Sequence, residues 1–242
     1  MNNNHNWNKT QAESAQIPNF GKKYVGEAEL QRMLGGNISG KKILELGSGN
    51  GYWLELLAKR GAICTGIEIS EEQLKLADKN NPKITYIKGD ITKLERSGLK
   101  KSYYDVILIE HVLLEIPSLK KIDSIMSASY KLLKKSGIII ISDLHPLAAL
   151  LGTKNFRVNN NFNYFSSGTL IEVVSTRIDG EETKYKDFHW TLSDIVGSIT
   201  KAGFLISKIT EPRPSLNLVR RYPELKNRLT IPKALWIKAV KI

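Results

Sequence analysis

The sequence is poor in the residues on which stapled or metal-bound domains depend. It has one cysteine, Cys64, so an internal disulfide is impossible and cysteine-rich zinc sites are excluded. No apolar run approaches the roughly 18 residues a membrane helix needs; Ile138-Ile139-Ile140-Ile141 is a short, strand-like run. The first sixteen residues are polar and Asn-rich, unlike a signal peptide. These absences predict an intracellular, cytoplasmic, soluble protein. Acids are scarce beside bases: 36 Lys and Arg against 24 Asp and Glu give a formal charge of +12. The excess is uneven, with nine basic residues against two Glu from Lys208 to Ile242. Such a balance permits a nucleic-acid or phosphate-bearing partner. Without a motif that interleaves aromatics with the basic residues, it reads instead as a solvated basic region.

What is present is ordinary in amount and informative in order. The 242 residues, 41% hydrophobic and 25% charged, suffice for one core. Residues 1–20 read as a flexible arm carrying Trp7 and His5, and residues 21–242 as one domain. Tyr24 to Leu34 predicts a helix stopped by Gly35-Gly36. Strands are then expected at Lys42–Leu46, Ile63–Ile69, Ile84–Lys88, Tyr104–Glu110 and Gly137–Ser142. Helices are expected between them at Tyr52–Arg60, Glu71–Lys79 and near Ser118–Lys134. That alternation predicts a doubly wound, mostly parallel α/β sheet with helices on both faces, whose ligands bind at the C-terminal strand ends.

After the fifth strand the rhythm breaks. Residues 147–190 read as an insert: an aromatic loop with Phe156, Phe162, Tyr164 and Phe165, then a β-hairpin turning at Asp179-Gly180. A helix over Thr191–Lys201 follows, with Thr191 and Asp194 spaced as a variant capping box. Phe204–Thr210 and Ala234–Val240 are the last strands.

The segment Glu45-Leu46-Gly47-Ser48-Gly49-Asn50-Gly51 carries the chemistry. An apolar strand enters a glycine-rich turn that opens a helix, where the backbone can approach a ligand and offer free N–H groups. A dinucleotide turn would place a third glycine where Tyr52 stands. The spacing here is G-x-G-x-G with Glu45 two residues ahead, which favours a cofactor with an amino-acid tail over a pyrophosphate. Glu68, 21 positions after Gly47, stands where an acid accepts both ribose hydroxyls. Asp90 can accept from an adenine amino group while Ile69 and Ile91 sandwich the ring.

On these residues the chain resembles the class I, Rossmann-like S-adenosylmethionine-dependent methyltransferases, most closely their small-molecule branch. The match is good over about Lys41–Ser142 and looser from Trp190 to Ile242. The family's first motif falls on Glu45 to Gly51, its ribose acid on Glu68, its adenine acid on Asp90 and its fourth-strand motif on Tyr104 to His111. A Leu132-Leu133…Gly137 ending precedes the isoleucine run. The resemblance implies seven strands, the last antiparallel and inserted beside the fifth. It implies S-adenosyl-L-methionine as cofactor and S-adenosyl-L-homocysteine as product. It also implies that the backbone at Glu110 and His111 contacts the methionine part, and that an N-terminal helix with Tyr24, and Trp7 before it, closes over the cofactor. The expected acceptor is a small molecule, with the aromatics of the insert as a lid over a flat or apolar substrate. A nucleic-acid acceptor is disfavoured, because the Asn/Asp-Pro-Pro-aromatic signature is absent where Glu110-His111-Val112-Leu113 stands. RNA or protein methylation, an NAD-dependent oxidoreductase and a binding protein without transfer are the alternatives.

Methyl transfer from a sulfonium needs a base only if the nucleophile must lose a proton. His111 leads as that base, since its ordinary pKa suits neutral pH. His145, ending the fifth strand, and His189, before Trp190, are the other candidates. Some quinone-type members bind a metal through a Glu-His pair, but here Glu115 is followed by Ile116, so no metal is expected.

Overall fold

The computed structural model describes residues 20–77, 80–151, 156–158, 163–176 and 182–242. The N-terminal arm with Trp7, and the hairpin turn at Asp179-Gly180, lie outside the described residues. A π-helical turn, Lys22–Gly26, runs directly into α1 (Glu27–Leu34). Then come β1 (Lys42–Leu46), α2 (Tyr52–Lys59), β2 (Ile63–Glu68), α3 (Glu71–Leu76), β3 (Ile84–Lys88), β4 (Tyr104–Glu110), α4 (Leu119–Leu132) and β5 (Leu133–Leu144). These strands form the main sheet in the order β3-β2-β1-β4-β5, all parallel. The helices start where the sequence supplies caps: the hydroxyls of Ser70 and Ser118 accept from the N–H groups of Gln73 and Lys121.

The sheet is buried on both faces, so its strands read as nearly unbroken apolar runs. Alternation still sorts them. Leu44, Leu46, Ile107, Ile109, Ile139 and Ile141 face α4. Ile43, Val106, Leu108 and Ile140 face α1 and α2 with Trp53 and Trp236, whose rings meet edge to face. β5 starts four residues earlier than the sequence predicts. It pairs with Tyr104 through Leu133, then bulges through Ser136 at φ +61° before resuming at Ile138.

Beyond β5 lie α5 (Pro146–Leu151), β6 (Phe156–Val158), β7 (Leu170–Thr176), β8 (Glu182–Phe188), α6 (Leu192–Lys201), β9 (Phe204–Thr210), α7 (Leu216–Arg221) and β10 (Ala234–Lys241). β10 inserts antiparallel between β5 and β9, completing seven strands as the resemblance implies. The expected hairpin is β7–β8. It gains a third strand, β6, within the stretch read as a loop. This small sheet turns Ile171 and Val173 inward and docks where the buried Trp190 indole donates to Leu113 O at 3.1 Å. The predicted capping box at Thr191 and Asp194 is formed. Among the described residues no helix is long and apolar enough to cross a membrane.

Candidate active site

The crevice begins where β1 runs into its glycine turn. Gly47 sits at φ +76°, and a side chain there would also drive a Cβ to 2.5 Å from Val112 Cγ2. The N–H groups of Gly47 and Ser48 donate to Ile67 O, folding the turn over the end of β2. Gly51, also left-handed, is the N-cap of α2. The Glu68 carboxylate ties this turn to the next: Oε2 accepts from Gly49 N at 2.8 Å and Oε1 from Ser70 N at 2.7 Å. One strand further out, Asp90 Oδ1 accepts from the N–H and hydroxyl of Thr92 and caps a 3-10 turn over Ile91–Arg96. Its other oxygen stands 3.6 Å from Lys93 Nζ.

These turns enclose a cavity of ≈ 250 Å³. Glu45, Glu68, Ile69, Asp90, Ile91 and Glu110 line it, with the turn from Gly47 to Asn50 along one side. Among its lining residues, Glu45 Oε2, Ser48 Oγ and Gln73 Oε1 are buried without a hydrogen-bond partner. Buried polar groups are almost always satisfied, so their presence beside a cavity marks a place where a polar ligand completes the bonding. A ligand with an ammonium or carboxylate, a diol and an amino-purine fits this donor set.

The electrostatics grade along the cavity. Burial pushes the Glu45 carboxyl well above its usual range, against the pull of Lys22 and with a push from Glu110 and Glu68. Burial also raises Glu68, while the N–H groups of Ser70 and Gly49 resist it. Glu110 ends below its usual value: burial would raise it, but the ammonium of Lys22, 3.2 Å from Oε2, and His111 favour the charged form. Asp90 is likewise lowered, burial being outweighed by Thr92 and Lys93.

His111 is the candidate histidine that lines the cavity, at the end nearest β4 and β5. It adopts φ +53°, an uncommon backbone for a non-glycine residue. Its side chain is 49% exposed, and desolvation by the surrounding crevice holds it below the usual histidine pKa although Glu110 pulls upward. Nε2 is 3.5 Å from Glu110 Oε1 and Nδ1 3.6 Å from Asp143 Oδ1. His145 is anchored instead. Nδ1 accepts from Leu147 N at 3.1 Å, which leaves Nε2 as the protonated nitrogen, 2.8 Å from Glu211 Oε1. The buried His189 has Nε2 2.7 Å from Tyr164 O and pins the insert. Tyr24 stacks on Tyr222 at 4.2 Å, and Lys22, two residues earlier, is what the first helix contributes to the cavity wall.

Several groups at the crevice carried no sequence signal. Lys22 is a lysine in a polar helix, and only the fold brings it across to Glu110. Asp143 could have been read from its place in Asp143-Leu144-His145-Pro146. It accepts from Leu113 N and Leu144 N, and burial raises its carboxyl well above the usual range. Asp187 lies opposite Ile171 on the inward face of the small sheet, where burial raises it to about 6. Among the described residues no three His, Cys, Asp or Glu side chains converge as a metal ion would need.

A seven-stranded sheet of this order, with a glycine turn and carboxyls at successive parallel-strand ends, defines a Rossmann-like α/β protein whose crevice lies at the switch of strand order. A family described as a methyltransferase domain matches residues 37–194. The chain belongs to that family and is a class I S-adenosylmethionine-dependent methyltransferase. It is 27% identical over 225 residues to an uncharacterized protein of Haemophilus influenzae, covering 85% of this chain and 83% of that one. It is 30% identical over 112 residues to a ubiquinone biosynthesis O-methyltransferase of Vibrio campbellii, covering 45% of this chain and 46% of the enzyme. The matched part thus spans under half the length of that enzyme. Among solved structures, a Listeria monocytogenes protein assigned to the S-adenosylmethionine-dependent methyltransferases superposes with a TM-score of 0.69 at 26% identity, covering 89% of this chain and 96% of the other.

Proposed function

We propose that residues 21–242 act as one domain that transfers a methyl group from S-adenosylmethionine to an O or N atom of a small-molecule acceptor. The observation that carries this reading is the set of orphaned buried polar atoms, on Glu45, Ser48 and Gln73, lining a cavity that also holds Glu68 and Asp90 at successive strand ends. In this reading Gly47, Ser48, Gly49 and Gly51 let the backbone approach the amino-acid tail, with Glu45 beneath. Glu68 takes the ribose hydroxyls on lone pairs left by its two backbone bonds. Asp90 takes the adenine amino group, and Ile69 and Ile91 flank the ring. Glu110, fixed by Lys22, closes the methionine end.

The cofactor supplies an already activated methyl group, so the protein has chiefly to position two reactants and exclude water. His111 stands at the crevice end where the acceptor enters. For a hydroxyl acceptor its neutral ring, favoured by the lowered pKa, takes the departing proton and passes it to solvent. For a neutral amine it takes the proton after transfer. The small sheet β6-β7-β8, with Tyr164 and Phe165, walls the acceptor side. The curated relatives with named activities, a ubiquinone biosynthesis O-methyltransferase and a rat arsenite methyltransferase, support a small acceptor. Calorimetric titration with S-adenosylmethionine, S-adenosylhomocysteine and NAD tests the reading. Micromolar binding of the first two alone is expected; binding of NAD, or of none, refutes it.

A further inference from the structure

The basic residues after Ser207 divide into groups with different tasks. Lys238 and Lys241 donate to the main-chain carbonyls of Met33 and Leu133 at 2.7 and 2.8 Å. Lys226 and Arg220 face solvent. Arg228 turns inward. It lies on the 3-10 turn Pro223–Leu229, in which positions three apart share a face, so Arg228 points the same way as the fully buried Leu225. Tyr222, stacked on Tyr24, fixes that turn against the first helix. The guanidinium lies against the backbone of Gly21, where a Cβ would fall 2.2 Å from Nη2, so a larger residue there would push the guanidinium aside.

Arg228 has no acid partner and no hydrogen bond among the described residues. Its turn nonetheless stands at the crevice mouth: β9 runs parallel to β5, so the segment after Thr210 returns past the same strand ends, where His145 bonds both Glu211 and Lys233 O. Gly21, which Arg228 touches, directly precedes the cavity-lining Lys22, and the guanidinium disfavours a positive charge on His111 and Lys233. Three of the acids near this mouth are already committed. Glu110 bonds Lys22, Glu211 bonds His145, and Asp143 accepts from two backbone N–H groups. A desolvated guanidinium without a counter-charge is costly, and its planar fork of donors matches a carboxylate or phosphate oxygen pair.

We propose that Arg228 receives an oxyanion of the acceptor, a carboxylate or a phosphate-type group, and so holds the acceptor beside His111. This rests on the methyltransferase reading above and names the substrate class of that same site.

The test is calorimetric titration of the S-adenosylhomocysteine-saturated protein with benzoate, phenyl phosphate and neutral benzamide. Binding of at least one anion and not of benzamide is expected, and which anion binds distinguishes the two oxyanion sources. R228Q should lower the anion's affinity at least about tenfold, the worth of one charge-assisted pair, while leaving S-adenosylhomocysteine affinity unchanged. K226Q, on the exposed side of the same turn, should bind as wild type. Should R228Q lose its fold by circular dichroism, the wild type still decides: a saturating anion should raise the His111 pKa followed by NMR, because it offsets the Arg228 charge. Neither anion binding, equal binding of benzamide, an unshifted His111 or an indifferent folded R228Q overturns the proposal while the methyltransferase reading stands. Failure of S-adenosylhomocysteine itself to bind overturns both.

Discussion

Replacing Glu68 with alanine removes one carboxylate that serves two ends. Its side chain, buried at the end of β2, holds the N–H of Gly49 and of Ser70 and, in the proposed reading, the ribose. Losing the partner of a buried donor costs about 1–3 kcal/mol. The Ser70 bond is buried and bears that cost, whereas the Gly49 N–H is partly exposed, where water can replace the lost oxygen. The loss is offset in part because burial already disfavours the charged carboxylate, as its raised pKa shows. Unfolding stability should therefore fall by about 1–2 kcal/mol at pH 7. Cofactor affinity should fall more, since the ribose hydroxyls lose their acceptor and the glycine turn loses its tether. A loss of about 1–3 kcal/mol corresponds to roughly 5- to 150-fold in Kd. Calorimetry with S-adenosylhomocysteine reads the second quantity and urea unfolding the first. A folded Glu68→Ala protein that binds S-adenosylhomocysteine within twofold of wild type would refute the placement of the ribose at Glu68.

Glu45→Gln should flatten the pH dependence of stability. The folded wild type keeps this proton well above pH ~4.3, where the unfolded chain releases it, so stability falls as pH rises through that window. Urea unfolding from pH 4 to 8 checks this, with Asp143 retaining its own share of the slope, and an unchanged slope contradicts it. Asp187→Asn should stabilise the protein by up to about 3 kcal/mol at pH 7, because burial holds the wild-type carboxyl at about 6 against ~3.9 unfolded. The gain should vanish below pH ~4; thermal melts at pH 4 and 7 that show equal gains would remove desolvation as its cause. His111→Asn keeps a residue that tolerates positive φ, so melting should change little while turnover falls more than S-adenosylhomocysteine affinity. Equal losses of turnover and affinity would make His111 a positioning residue.

The sheet was legible because its signals are local. Apolar runs of four to seven residues, broken by glycine and separated by capped helices, dictate a parallel sheet whatever lies around them. The glycine turn with Glu68 and Asp90 was legible for the same reason: each acid stands at the end of its own strand, at a distance the chain itself sets. The edges were not. β5 begins at Leu133 because Ser136 takes a left-handed backbone in a bulge, which nothing in Lys134-Lys135-Ser136 announces. β6 exists only because β7 offers it an edge. Tyr24 was the aromatic expected over the cofactor, but Tyr222, 198 residues later, provides it with a stacking partner, and Lys22 lines the cavity instead.

The same distinction explains why charge was the hardest feature to read. In sequence, Arg228 is one of nine basic residues in a polar stretch, and composition assigns all of them to solvent. What separates it is a three-residue period shared with Leu225 and a glycine more than two hundred positions earlier that leaves room for a guanidinium. Neither observation is visible alone. Together they turn one positive charge of that stretch inward, against the first helix, whose Lys22 lines the crevice that Glu68 and Asp90 also line. In the proposed reading that charge orients an acceptor as well as binding it: an anionic group drawn to Arg228 is repelled from the Glu68 and Asp90 carboxylates, so the acceptor enters with its reactive end toward His111.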